Sequence, residues 1–218
     1  MSFGDRIFSY FPLLMTVAAL LVLTGFAHWP LFSAVMLLLV VYIVPPITLR
    51  IVKRWAPLRP GIVKIDEKTF CGWHASHHIQ AFYDALPFLE SLLRVIPGFY
   101  SMWLRLWGSR VGYGVVWAVN VHILDRDLMD IGNRVIFSRQ VELYGHVRRK
   151  TEAGVSRVLV RPVRIGSYAF LGANVRVGPG ASVPANAAVP ALTVIDANET
   201  YGEAPRHPAP EEADFALV

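Results

Sequence analysis

From Ile165 onward an aliphatic residue returns at every sixth position, followed each time by Gly or Pro: Ile165-Gly166, Leu171-Gly172, Val177-Gly178, Val183-Pro184 and Val189-Pro190. Ala169, Val175, Ala181 and Ala187 fall four positions after the first four of these. An earlier stretch keeps the beat at Ile131-Gly132, Phe137-Ser138 and Leu143-Tyr144, with Val135, Val141 and Val147 four later; Val111-Gly112 with Val115 reads as a first rung. Such a period suits a three-sided coil of short parallel strands. The aliphatic residue points into a narrow core and the small residue lets the corner turn. Three six-residue steps close one turn, so residues 111–192 are expected to form a β-helix of roughly three to four turns.

Residues 148–162 interrupt the beat with Arg148, Arg149, Lys150, Gly154 and Arg157, and are expected to leave the coil as a loop. Residues 193–218 turn polar and Pro-rich, with Pro205, Pro208 and Pro210 beside Glu211 and Glu212, which reads as a flexible tail. A prism this short has flat sides and buries little alone. A homotrimer packed around a threefold axis is the expected solution.

The N-terminal part has another character. Between Arg6 and Arg50 there is no Asp, Glu, Lys or Arg, although charged residues make up 17% of the chain. One spanning helix needs roughly 20 apolar residues, so residues 1–50 are expected to form a two-helix transmembrane hairpin. Its helices would be Phe11 to Ala27 and Pro30 to about Leu49, broken at His28-Trp29-Pro30. A cleaved signal peptide is the rival reading of the first segment. Against it stand the basic start offset by Asp5, the lack of a clear small-residue cleavage site, and the second apolar stretch directly after it. Arg50, Lys53, Arg54 and Arg59 follow the second helix. The positive-inside rule then makes this a multi-pass protein of the inner (cytoplasmic) membrane with everything after Arg50 in the cytoplasm. The net charge of +5 partly reflects this collar, which is placed to meet membrane lipid headgroups. It calls for no nucleic acid.

Residues 51–110 read as a connector followed by amphipathic interfacial helices. Pro57, Pro60 and Gly61 favour an extended connector. Ile79, Phe82, Leu86, Leu89, Leu92, Leu93 and Ile96 then recur at helical spacing, with a kink at Pro87 and a stop at Pro97-Gly98. Phe99 to Trp107 begins another aromatic-rich helix, and these apolar faces are expected in the membrane interface or against the spanning hairpin. The lone Cys71 has no disulfide partner and no metal spacing around it. His74 and His78 share a helix face, but no Glu follows the first and no third ligand stands at an informative spacing, so no metal is expected. No Walker sequence or dinucleotide fingerprint is present.

Over Leu124 to Pro190 the chain resembles the left-handed parallel β-helix acyltransferases, the hexapeptide-repeat family. Trp103-Leu104-Arg105-Leu106-Trp107-Gly108-Ser109-Arg110-Val111-Gly112 is similar to the Leu-Arg-x-x-Gly-x-x-Ile-Gly lead-in of a membrane-associated branch, which includes the carboxy-terminal modules of the ε-poly-lysine synthetase type. Asp127-Leu128-Met129-Asp130-Ile131-Gly132-Asn133 resembles that branch's Asp-Leu-x-x-Ile-Gly-Asp/Asn, and Leu143-Tyr144-Gly145-His146 stands in the place of its Leu-Gln-Thr-His. The resemblance implies a mainly β fold: a left-handed parallel β-helix preceded by the two-helix hairpin and the interfacial helices.

It also implies a chemistry. An acyl group, acetyl in the first place, would pass from a pantetheine thioester, carried by coenzyme A or an acyl carrier protein, to a hydroxyl or amine on a membrane-associated acceptor. The resemblance places the general base on His146, a role that imidazole suits because it titrates near neutrality. Asp127 matches the family's aspartate; it either fixes the tautomer of a neighbouring histidine or ends a turn. His122 either orients the acceptor or fills a corner. Arg148, Arg149, Arg161 and Arg164, with Lys150, are the cations suited to the donor's phosphates. Two other readings stand beside this one: an amide-forming module that works with a carrier protein, and a non-catalytic β-helix scaffold.

Overall fold

A computed structural model describes residues 3–64, 72–150 and 156–203. Cys71 and residues 204–218 of the expected tail lie outside the described residues. The chain divides into two compact units, residues 3–58 with 72–87 and residues 59–64 with 88–203. Residues 51–110 are therefore not one segment, as the sequence suggested. Their helices are shared between the two units.

The first unit is helical: α1 (Phe3–Ser9), α2 (Phe11–Gly25), α3 (Pro30–Leu38), a π-helical turn (Leu39–Ile43), α4 (Val44–Trp55) and α5 (Gly72–Ala85). Pro45 and Pro46 cannot donate to the helical ladder and would clash with the carbonyl four residues back. The chain widens into the π turn just before them, and Val44 N–H reaches Leu39 O. A carbonyl of that turn, Val41 O, accepts the Tyr83 hydroxyl of α5. Pro30–Trp55 makes one helix of 26 residues, long and apolar enough to cross a membrane. At 15 residues, α2 is shorter than the roughly 20 a straight span needs. The two still pack on each other, with Ser33 Oγ donating to Val22 O at 3.3 Å and the Phe26 and Phe32 rings edge-on at 4.9 Å. The second helix does not stop near Leu49. Nothing breaks it before Pro57, so it runs to Trp55 and carries Arg50, Lys53 and Arg54 on its last turns. α5 buries Trp73, Ile79, Phe82 and Tyr83 within this helical unit, and His77 stacks on Trp73 at 5.5 Å.

The second unit is a parallel β-helix of four turns. Its first face pairs Arg110–Val111, Met129–Ile131, Val163–Ile165 and Ser182–Val183; its second, Val116–Trp117, Ile136–Phe137, Phe170–Leu171 and Ala188–Val189; its third, His122–Ile123, Glu142–Leu143, Arg176–Val177 and Val194–Ile195. One inward side chain per strand stacks through all four turns. The first stack is Val111, Ile131, Ile165 and Val183, the second Trp117, Phe137, Leu171 and Val189, the third Ile123, Leu143, Val177 and Ile195. All are buried except the half-buried Trp117.

Most corners turn through a left-handed residue three positions after the inward one. These are Gly114 and Asn120 in the first turn, Arg134 and Gln140 in the second, Tyr168, Asn174 and Gly180 in the third, and Asn186, Leu192 and Asn198 in the fourth. Gly and Asn reach that region most easily. By the same count, the third corner of the first two turns would place Arg126 and His146 there. Neither has a positive φ, because the chain leaves the coil at both points.

Three expectations are corrected here. The coil does not end at 192: Ile195 keeps the beat, Val194–Ile195 pairs with Arg176–Val177, and Ser182 still bridges to Thr200, so the flexible tail cannot begin at residue 193. Residues 148–162 are not a plain loop but a β-hairpin of His146–Lys150 and Ser156–Val160, with Gly61–Lys64 of the connector as its third strand. The apolar run Val158-Leu159-Val160 is fully buried in that central strand, which is what makes a sheet more favourable than a solvated loop. Val147, read as a rung, belongs to the hairpin.

The helices α6 (Phe88–Val95) and α7 (Phe99–Trp107) belong to this unit. The first turn of the coil would expose its inward side chains, so α7 lays Tyr100, Trp103, Leu104 and Trp107 into the fold instead of presenting them to lipid. Trp117 donates its indole N–H to Ser101 Oγ at 2.9 Å and meets the Tyr100 ring edge-on at 5.0 Å. A second stripe, with Leu92, Val95, Ile96 and Met102, stays exposed.

Candidate active site

The coil opens at the same corner in two successive turns. After Ile123 the chain makes a short loop, closed by Leu128 N–H on Asp125 O at 3.1 Å, before rejoining at Met129. After Leu143 it departs into the hairpin and returns at Val163, whose N–H bonds Leu128 O at 3.0 Å. The strand register sets Ile123 beside Leu143. Carried two residues further, the same offset sets Asp125 beside Gly145.

That offset builds the site. Asp125 Oδ2 accepts the Gly145 backbone N–H at 2.8 Å, and the carboxylate meets His146 Nδ1 at 2.8 and 2.9 Å. Asp125 is 4% exposed and His146 12% at the side chain. An ionised carboxylate only accepts hydrogen bonds, so Nδ1 carries the proton and Nε2 becomes the basic position of the ring. Gly145 has little choice of side chain: a Cβ there would stand 2.9 Å from Asp125 Cβ and 2.8 Å from Leu128 Cδ1. Arg161 closes the edge through its backbone N–H on Gly145 O at 2.9 Å.

The loop bearing Asp125 is held from behind. Ser109 Oγ donates to Arg126 O and accepts from Met129 N–H, both at 2.8 Å. The Arg126 side chain is buried and pairs with Glu90 on α6.

The sequence-derived candidates separate here. His146 falls at the site. Its carboxylate partner is Asp125 and not Asp127, which is buried on the same loop. The family motif pointed to Asp127, whereas the twenty-residue register between turns selects Asp125. His122 is neither a corner residue nor part of the bond. It lies on the outward row of the third face, opposite Glu142, which in turn lies opposite Arg176. Next to that row Tyr144 donates to Glu142, while burial first and Glu142 second push its phenol well above the ordinary range.

The four arginines are not gathered into one cradle. Arg148 and Arg149 lie on the hairpin, and Arg148 is exposed. Arg161 bonds Asn198 Oδ1 at 2.7 Å, tying in a fourth-turn corner. Arg164 lies on the first face between Asp130 and Ser182. Sequence reasoning missed Asp125, Glu90 and the steric role of Gly145; the repeat period held the signal for Asp125.

No protein-family model matches the chain, and no curated protein matches it. Solved structures that the chain matches include a maltose O-acetyltransferase from Clostridium difficile 630, at 16% identity and a TM-score of 0.36, covering 53% of this chain and 76% of that one. A hexapeptide-repeat containing acetyltransferase from Vibrio cholerae O1 biovar eltor, complexed with acetyl coenzyme A, aligns at 18% identity over 59% of this chain and 87% of that one, with a TM-score of 0.35. A galactoside acetyltransferase in complex with coenzyme A aligns at 12% identity over 62% and 90%, with a TM-score of 0.24.

Proposed function

We propose that the chain is a membrane-anchored acyltransferase built on a left-handed coil, with His146 as its general base. The observation that carries this is the His146–Asp125 bond at the twice-opened corner. Nε2 takes the proton from an acceptor hydroxyl or amine as that oxygen or nitrogen attacks the carbonyl carbon of a pantetheine thioester. The C–S bond then breaks, and the imidazolium returns its proton to the departing thiolate, so acylated acceptor and free thiol are formed together. Asp125 holds the ring and stabilises the transient imidazolium. Asp127 supports the loop, and His122 is assigned to the acceptor side.

The donor is acyl-coenzyme A in this reading, with Arg148, Arg149, Arg161 and Arg164 as candidate phosphate contacts. Three copies associate through the second face, where Val116, Ile136 and Phe170 form an outward apolar row across three turns. Pro30–Trp55 anchors the chain in the inner membrane, with α2 as its hairpin partner, and Arg50, Lys53 and Arg54 keep the β-helix cytoplasmic. The anchor favours an acceptor that is itself in the membrane. The test is thiol release by the purified full chain from acetyl-coenzyme A or an acylated carrier protein, in the presence of a membrane lipid extract and simple hydroxyl and amine acceptors, with the acylated product followed in parallel. Release from coenzyme A supports the reading, release from the carrier alone moves the donor, and release from neither removes it.

A further inference from the structure

The mechanism leaves unused a polar cluster behind the Asp125 loop. Glu90 is 4% exposed and Arg126 1%. Arg126 Nε donates to Glu90 Oε1 at 2.6 Å, and its Nη2 closes the ion pair on the same oxygen. Glu90 Oε2 accepts the Tyr100 hydroxyl at 2.7 Å and Arg94 Nη2 at 3.2 Å. Arg94 also lies 4.2 Å over the Tyr100 ring and donates to Val121 O at 2.7 Å. Burial first, then the Glu90 charge, push the Tyr100 phenol far above its usual range, so it stays a neutral donor.

Burying one carboxylate with two guanidinium groups costs desolvation that apolar packing would avoid. The place of Arg126 gives a reason for the arrangement. It lies between Asp125 and Asp127 in the chain, and a guanidinium is the natural forked partner of any carboxylate within reach. A guanidinium turned onto Asp125 would compete with His146 for it.

We propose that Glu90 is a positioning residue for the site: by binding Arg126 it holds the guanidinium on the α6 side of the loop and leaves the Asp125 carboxylate to Gly145 and His146. This rests on the reading of the His146–Asp125 bond given above. Among the described residues, the other charged groups near that bond are Asp127 on the loop, Arg148 along the hairpin strand and Arg161 beside Gly145. None of them changes in the variants below.

The test is the imidazole titration of His146, followed by NMR in the detergent-solubilised full chain with labelled histidine. Glu90→Gln keeps the shape of the side chain and removes its charge. The His146 midpoint is expected to fall, because a guanidinium no longer held by Glu90 competes for the Asp125 carboxylate and opposes the imidazolium. Two double variants guard against misfolding by removing one buried cation together with the Glu90 charge. Glu90→Gln with Arg94→Met retains Arg126 and is expected to show the lowered midpoint; Glu90→Gln with Arg126→Met is expected to restore it. An unmoved midpoint in Glu90→Gln, or the same midpoint in both double variants, overturns the proposal and leaves the cluster as an anchor of α6. The titration needs no turnover, so it reads independently of whether acyl transfer fails.

Discussion

Asp125 and His146 lie on consecutive turns of the coil and meet at 2.8 Å, because each stands where the chain leaves the same corner. The bond is a product of the helical register: twenty residues separate stacked positions of the first two turns, as Ile123 and Leu143 show. Two local departures from a regular solid place an imidazole and a carboxylate side by side.

Asp125→Asn is expected to lower turnover on the order of 10²- to 10⁴-fold, since the amide no longer enforces the tautomer with Nε2 basic. The rate should rise with pH as the imidazole loses its proton. Asp127→Asn should cost less; a pH–rate profile of each variant checks the order, and a larger loss in Asp127→Asn would return the role to that residue.

Gly145→Ala should displace the loop. The added methyl meets Asp125 and Leu128 inside 3 Å, so both stability and the His146 contact are expected to suffer. Thermal unfolding and thiol release should fall together. A variant as stable and as active as the parent would mean that the corner yields more easily than its packing indicates.

The coil itself was legible in the sequence, because Ile165, Leu171, Val177, Val183 and Val189 keep the period of six that stacking demands, and they do stack. The hairpin was not, because Arg148 and Arg149 advertise a solvated loop while the sheet is decided by Val158, Leu159 and Val160 pairing with residues as distant as Ile62. His146 was readable from a motif, whereas Asp125 required the spacing between turns. Glu90 gave no signal, since a single acidic residue on an amphipathic helix reads as solvated until Arg126 is found beside it.

Leu192 occupies a left-handed corner at φ 64° with its side chain largely exposed. Replacing it with Gly or Asn should stabilise the β-helix by up to about 1–2 kcal/mol, by relieving the left-handed penalty. Denaturant unfolding in detergent measures this. A lower stability would show that Leu192 contributes packing that outweighs its backbone.

Ile136→Glu on the outward apolar row of the second face should separate the copies without unfolding the coil, since the inward stack is untouched. Native mass measurement in detergent is expected to drop from three copies to one. An unchanged mass would place the contact between copies on another face.

The most direct measurement is thiol release by His146→Ala in the full chain, beside His122→Ala and the parent, with the oligomer checked in parallel. The account predicts a loss on the order of 10²- to 10⁴-fold for His146→Ala, a smaller loss for His122→Ala, and a native assembly in both. Near-parental turnover by a natively assembled His146→Ala would contradict the assignment of His146 as the base.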